Sequence, residues 1–395
     1  MKDDFTLWFN TTVHYGAGKV SELGSLLRSF NASKILIVTD RGIVASGIVK
    51  KCTDAILSEH IGFSLFDGVE PNPTTDSVEK GLTLAKNESI HAIVAIGGGS
   101  SIDAAKAVNV LLANGGQIVD YHGFNHVRKK GLPLIAIPTT AGSGSEMTSV
   151  MLISDSKIHQ KIVCSDPKII PDVAILDPTL TLSLPPAVTI ESGLDALGSS
   201  IEAYVSKAAN EYSDVLALRA TEIIANNIVK VYEQPFNLDP RSAMLIGANM
   251  MGLAVHLSYI GAAHSMANPL TKYFGIRHGI AVGMVLPSVM LFNAPSRPKK
   301  YNQIALALGA KLEKGEDDLT MSRKGAFKVR RLLDHLSLPN NLSRMGVKED
   351  LIPTMAHEAL AQLSIDYNPV KPDLQQMTDL FYSAIRGEPP LATEV

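Results

Sequence analysis

The chain has 395 residues, 36 basic and 39 acidic side chains, a formal net charge of −3, and 46% hydrophobic against 19% charged residues. That balance argues against a nucleic-acid binder, which needs a clustered basic excess, and the composition is not that of a disordered chain. Two cysteines without a CxxC partner, Cys52 and Cys164, exclude a cysteine-based zinc knuckle and a disulfide-rich secreted scaffold. The first residues, MKDDFTLWFNTTVHYG, lack the apolar core of a signal peptide. No uncharged apolar run reaches the roughly 20 residues that cross a bilayer. The expectation is a reduced cytoplasmic protein without a membrane partner, long enough for two or three domains.

In chain order, residues 34–39 (KILIVT) read as a buried strand, followed by a helix over 43–58. A short strand at 62–66, a helix at 75–87, a strand at 91–96, a helix at 102–112 and a strand at 132–137 follow. Short apolar strands alternating with helices predict βαβ units and a Rossmann-like parallel sheet. At Leu184-Pro185-Pro186 the pattern changes. Helical spacing then runs over 187–206, 213–232, 241–259, 263–273 and 280–293, and again over 324–336, 348–363 and 372–385. The paired prolines suit a junction. The predicted architecture is an α/β dinucleotide-binding domain over 1–184 and an all-helical metal and substrate domain over 185–395.

Gly97-Gly98-Gly99-Ser100 follows one predicted strand and opens a helix. Glycines there let an anion approach the backbone, and a helix N-terminus offers free N–H donors; the same residues also suit a tight strand-to-helix turn. Asp40, just after the first strand, could accept from a ribose hydroxyl or cap the following helix. The loop PTTAGSGSE at 138–146 is rich in hydroxyls and glycine, which suits either a polar ligand at the strand ends or a flexible connection. In the second half, His264 and His278 lie at the starts of apolar helical stretches, and Asp195 lies on another apolar helix. An unpaired carboxylate there is costly. One carboxylate and two imidazoles are a candidate divalent-metal set, although each histidine alone could be structural.

The segments VTDRG (38–42), GGGSSIDAAK (97–106), PTTAGSGSE (138–146), GLDAL with IEAYVS (193–206), GAAHSMANPL with RHG (261–279) and the Asn368-Pro369 pair occur in an order that resembles the iron-containing alcohol dehydrogenase family. That family is related to glycerol dehydrogenase and dehydroquinate synthase, and the resemblance covers nearly the whole chain. It implies a dehydroquinate synthase-like fold and a nicotinamide cofactor whose pyrophosphate rests on Gly98, Gly99 and Ser100, with Gly97 and Asp103 in the same cofactor-binding motif. Asp40 would face the adenosine ribose and favour NAD over NADP, and Thr139, Thr140 and Lys161 would line the cofactor cleft. The metal, zinc or iron, would lie near the nicotinamide and polarise a substrate oxygen. The resemblance further implies a small alcohol or aldehyde as substrate and a homodimer or larger homo-oligomer, with the N-terminal segment available for strand pairing.

The chain departs from that family at several positions. Ser199 stands four residues after Asp195, where the family has a further ligand histidine, and Asn268 stands where it has another histidine. A serine hydroxyl is a poor metal ligand beside imidazole, and an amide cannot titrate. His256, Tyr259 and Arg277 also differ from the common residues. On one continuous helix His256 would lie about 12 Å from His264 along the axis, too far to share a metal, though able to act on substrate. Three readings follow. In one, Asp195, His264 and His278 hold a metal in a dehydrogenase or aldehyde reductase, with His256 or water moving the proton. In another, a metal-independent reductase relies on side-chain donors such as Ser199, Asn268, His256, Tyr259 or Arg277, with Arg277 suited to an anionic substrate. In the third, the chain is a non-redox NAD-binding enzyme or a binding protein.

Overall fold

The computed structural model describes residues 10–157 and 161–387, which divide into two units between Leu184 and Pro185. In the first, strands β1 (Thr12–Tyr15), β2 (Lys34–Val38), β3 (Gly62–Phe66), β4 (Ala92–Gly97), β6 (Leu134–Pro138) and β9 (Val173–Leu176) form one sheet in the order β1-β9-β6-β4-β2-β3. Every pairing in it is parallel. Helices α1 (Leu23–Ser29), α2 (Arg41–Ala45), α3 (Ile48–Leu57), α4 (Thr75–Asn87) and α5 (Gly99–Asn114) supply the crossovers. Side chains alternate through the sheet: Ile35 and Ile37 pack with Leu23, Cys52 and Ile56 on one side, and Leu36 and Val38 with Val78, Leu82 and Val108 on the other. A strand buried on both faces reads as an unbroken apolar run, which is why β2 and β4 stand out in the sequence.

The predicted helix over 43–58 is two helices. Gly47 takes φ +79° between α2 and α3, a conformation that only glycine adopts without strain. A three-stranded sheet that the periodicity does not announce joins β5 (Gly123–Phe124), β8 (Lys161–Ser165) and β7 (Val150–Ser154), with β7 and β8 antiparallel. The expected strand pairing by the N-terminal segment falls largely on residues 1–9, outside the described residues.

The second unit is helical: α6 (Pro186–Val205), α7 (Glu211–Glu233), α8 (Leu238–Ser258), α9 (Ala262–Phe274), α10 (His278–Asn293), α11 (Pro298–Ala307), α12 (Asp318–His335), α13 (Ile352–Leu360) and α14 (Leu374–Arg386). Pro186 is the first residue of α6, where its missing N–H costs nothing. Residues 278–296, with mean hydropathy 1.4, form a helix long and apolar enough to cross a membrane, but 67% of it is buried inside the protein. That marks a core helix. Helices α8 and α9, expected as separate stretches over 241–259 and 263–273, are bent by 107° where they meet.

Candidate active site

In the first unit, consecutive strands β3 and β4 lie on opposite sides of β2. This places a topological switch point between β2 and β4, the crevice where open parallel sheets bind ligands. The chain leaves β2 at Asp40 and β4 at the glycine run. Asp40 is the N-cap of α2, its Oδ1 accepting from Ile43 N–H at 3.0 Å. A Cβ built on Gly97 would come within 3.6 Å of Asp40 Oδ2. One carboxylate oxygen thus caps the helix while the other lies beside the glycines. Gly97 has φ +148°, and a Cβ there would sit 2.4 Å from Ser101 Oγ; on Gly99 it would sit 2.7 Å from Ser143 Oγ. Gly98 is the N-cap of α5 and offers no side-chain cap, so the first N–H groups, including that of Ser100, are left for an external anion. The buried hydroxyls of Thr39, Ser101 and Thr139 have no hydrogen-bond partner among the described residues, and the Thr139 N–H bonds the Gly97 carbonyl. Thr140 packs 3.3 Å from the position of a Gly98 Cβ.

Two expected cofactor residues are engaged elsewhere. Asp103 accepts from the Ser145 hydroxyl and from Leu152 N–H at 2.9 Å, and burial raises its pKa. It ties α5 to β7 instead of presenting free oxygens. Lys161 donates to Asn72 Oδ1 at 2.8 Å; burial lowers its pKa against the opposing charge of Asp103. Lys106, from the same motif, is fully buried and donates to Ser145 Oγ (3.0 Å), the Thr148 carbonyl (3.0 Å) and the Val150 carbonyl (2.8 Å). Burial brings it down to about 8 despite Asp103 and Glu146.

In the second unit, Asp195 on α6, His264 on α9 and His278 at the first position of α10 converge, with ligand atoms all within 4.8 Å of one another. His264 Nε2 lies 3.4 Å from Asp195 Oδ1 and 3.0 Å from Ser199 Oγ; His278 Nε2 lies 4.0 Å from Asp195 Oδ1. The other nitrogen of His264, Nδ1, meets Glu202 Oε2 at 2.6 Å. Burial alone would lower the His264 pKa, but hydrogen bonds to Asp195 and Glu202 and their charges hold it up at about 9. Asp195 has burial working to raise its pKa and the two imidazoles lowering it further.

Sequence reasoning missed Glu202. It is 3% exposed and also accepts from Gly261 N–H (2.9 Å) and Ala263 N–H (2.5 Å). A signal was present: Glu202 lies two turns after Asp195 on the same apolar helix, and the cost argued for a buried carboxylate applies equally to it. Asn368 completes the cap of α9 by accepting from Ala262 N–H at 3.1 Å, while exchanging hydrogen bonds with Asn293. Gly261 is required there, since a Cβ would lie 2.7 Å from Asn368 Oδ1.

The remaining residues need correction. His256 and His264 do not share a helix face, because α8 ends at Ser258 and the chain turns at Tyr259 (φ 61°, ψ 177°), and His256 is not among the converging ligands. The Tyr259 ring stacks on Tyr367 at 4.3 Å. Arg277, read as a partner for an anionic substrate, instead donates to Glu191 at 3.3 Å. Asn268 donates to Gln362 Oε1 at 3.2 Å.

The chain matches the iron-containing alcohol dehydrogenase family over residues 10–178 and the C-terminal domain of the same family over 189–385. It belongs to that family, which makes it an oxidoreductase acting on CH–OH groups. It is 34% identical to the NAD-dependent methanol dehydrogenase of Bacillus methanolicus over 94% of this chain and 97% of that enzyme. It is 33% identical to the lactaldehyde reductase of Escherichia coli K12, over 95% and 98%. The crystal structure of a 1,3-propanediol oxidoreductase superposes with a TM-score of 0.93 at 31% identity, over 96% of this chain and all of that one. Enzymes of this family use NAD and a metal ion.

Proposed function

We propose that this protein is an NAD(H)-dependent alcohol dehydrogenase or aldehyde reductase for a small substrate, with a divalent metal, zinc or iron, on Asp195, His264 and His278. The observation that carries this reading is the convergence of those three side chains with Glu202 fixed behind His264. Three protein ligands suffice for a catalytic zinc, and a carboxylate on the far nitrogen of a ligand histidine is a recurrent device that fixes ring orientation. The donor set therefore fits a metal. The glycine cradle, the uncapped start of α5 and three unpartnered buried hydroxyls beside it fit a dinucleotide.

When bound, the metal supplies Lewis-acid polarisation of the carbonyl or hydroxyl oxygen, and NAD(H) accepts or donates the hydride. Within this chain, Gly97, Gly98, Gly99 and Ser100 hold the pyrophosphate by backbone N–H groups, with Thr139 and Thr140 bordering them. Asp40 Oδ2 receives a ribose hydroxyl and repels a 2′-phosphate. Glu202 accepts from His264 Nδ1 and leaves Nε2 as the ligand atom. Ser199 contributes a hydroxyl beside that nitrogen in place of an imidazole. Asn268 cannot titrate, so the substrate proton passes through His256 or water.

Metal analysis of protein purified without chelator, joined to NADH oxidation over an aldehyde panel, tests this reading. One equivalent of zinc or iron is expected. Asp195→Ala should lose it along with turnover, by about 10³-fold or more. Metal-free protein that gains none from added zinc or iron, with turnover unchanged in Asp195→Ala, would overturn it.

A further inference from the structure

The span from Asp195 on α6 to His278 on α10 depends on how closely the two helices meet. Gly279, buried in the first turn of α10, follows His278 directly. A Cβ at position 279 would lie 2.0 Å from the Glu191 carbonyl oxygen and 2.9 Å from Asp195 Cβ. The first atom belongs to the backbone of α6 and the second sits at the root of a ligand side chain, so neither can swing aside. With a methyl group there, α10 must withdraw by roughly 1 Å to reach ordinary contact. Metal–ligand distances tolerate only about 0.2 Å. A second close approach lies at Gly198, three residues after Asp195 on α6. A Cβ there would lie 2.3 Å from Val282 Cγ1 on α10 and 4.0 Å from His264 Cε1. Val282 is fully buried, and a branched side chain has one favoured rotamer in a helix, so it has nowhere to turn. Glycine weakens a helix interior, and what Gly198 supplies inside α6 is this close approach.

We infer that Gly279 and Gly198 are positioning residues for the metal ligands. The bare backbone at these two points sets the separation of α6 and α10, and through it the 4.0 Å between Asp195 Oδ1 and His278 Nε2. Gly279 acts through His278, the residue it adjoins. Gly198 acts through the same helix contact, against Val282. The inference rests on the reading of Asp195, His264 and His278 as a metal site.

The test uses the full-length protein, with zinc affinity read by competition against a chromophoric chelator and folding read by thermal unfolding. Gly279→Ala is expected to bind zinc about 10–100-fold more weakly than the wild type. A cycle with His278→Ala separates placement of the ligand from general damage. Once that imidazole is gone, the added methyl should cost no more than about twofold, whereas independent effects multiply. Gly247→Ala is the control. Its Cβ would lie 2.9 Å from Ile224 Cγ1, between α7 and α8, which carry none of the three ligands. It should lower the unfolding temperature and leave zinc affinity unchanged. Gly198→Ala should weaken zinc binding, and Val282→Ala, which removes the opposing methyl groups, should restore it; this pair is decisive if Gly279→Ala does not fold. Unchanged zinc affinity in a folded Gly279→Ala, losses that multiply in full, or a Gly198→Ala loss that Val282→Ala does not restore, overturns the inference and leaves the metal reading intact. A wild type that takes up neither zinc nor iron overturns that reading and the inference with it.

Discussion

The glycine cradle and the ligand cluster are built on opposite plans. The cradle is made of backbone: Gly97, Gly98 and Gly99 work by what they lack, and one contiguous motif specifies them. The cluster is made of side chains from three helices, with its support arriving from Glu202 and Asn368. A backbone site fails by steric intrusion and a side-chain site by lost ligands, so each should break independently of the other.

The sharpest attack on the cradle is Gly97→Ala. At φ +148°, with Ser101 Oγ 2.4 Å from the new methyl, it should cost about 2–3 kcal/mol of stability. Thermal unfolding should show it, together with weakened NADH binding and unchanged metal content. Glu202→Gln attacks the other plan. It leaves the fold in place and should weaken metal affinity about 10–100-fold, read by competition with a chelator, with NADH affinity unaltered. If either substitution damages both sites equally, the separation fails.

Two finer tests stay within the first unit. Asp40→Ala should narrow the preference for NADH over NADPH by about tenfold, the value of one hydrogen bond, at little cost in stability because only one helix cap is lost. An existing preference for NADPH would contradict the role given to Asp40. Burial holds the Lys106 pKa at about 8 in the folded chain, against an ordinary lysine value of 10.5. Between those values the unfolded chain holds more protons, so stability rises with pH across that window. Urea midpoints should show the wild type gaining on Lys106→Met between pH 8 and 10. A gap that widens against the wild type would mean that the buried ammonium is favoured by its acceptors.

The alternation of β2, β4 and β6 with helices was legible because doubly buried strands are apolar throughout. β1 (Thr12–Tyr15) is half exposed, and β9 (Val173–Leu176) is only four residues long, so neither leaves a clear period. Asp195, His264 and His278 were legible as residue types, but their convergence depends on packing among α6, α9 and α10 that no local spacing encodes. The separate helical stretches at 241–259 and 263–273 were legible, but the 107° bend between them was not, because no local spacing encodes it. Glu202 could have been found by the argument already applied to Asp195.

Asn368 carries a consequence for synthesis. It caps the start of α9, while His264 is made about a hundred residues earlier. Domains generally fold as units in the order they are made, so the glycine cradle can be complete while the helical unit is still emerging. The cluster of Asp195, His264 and His278 must wait until Asn368 has been translated. A protein shortened ahead of Asn368 would keep Asp195, His264, His278 and the whole glycine run, yet leave the α9 start without its last cap.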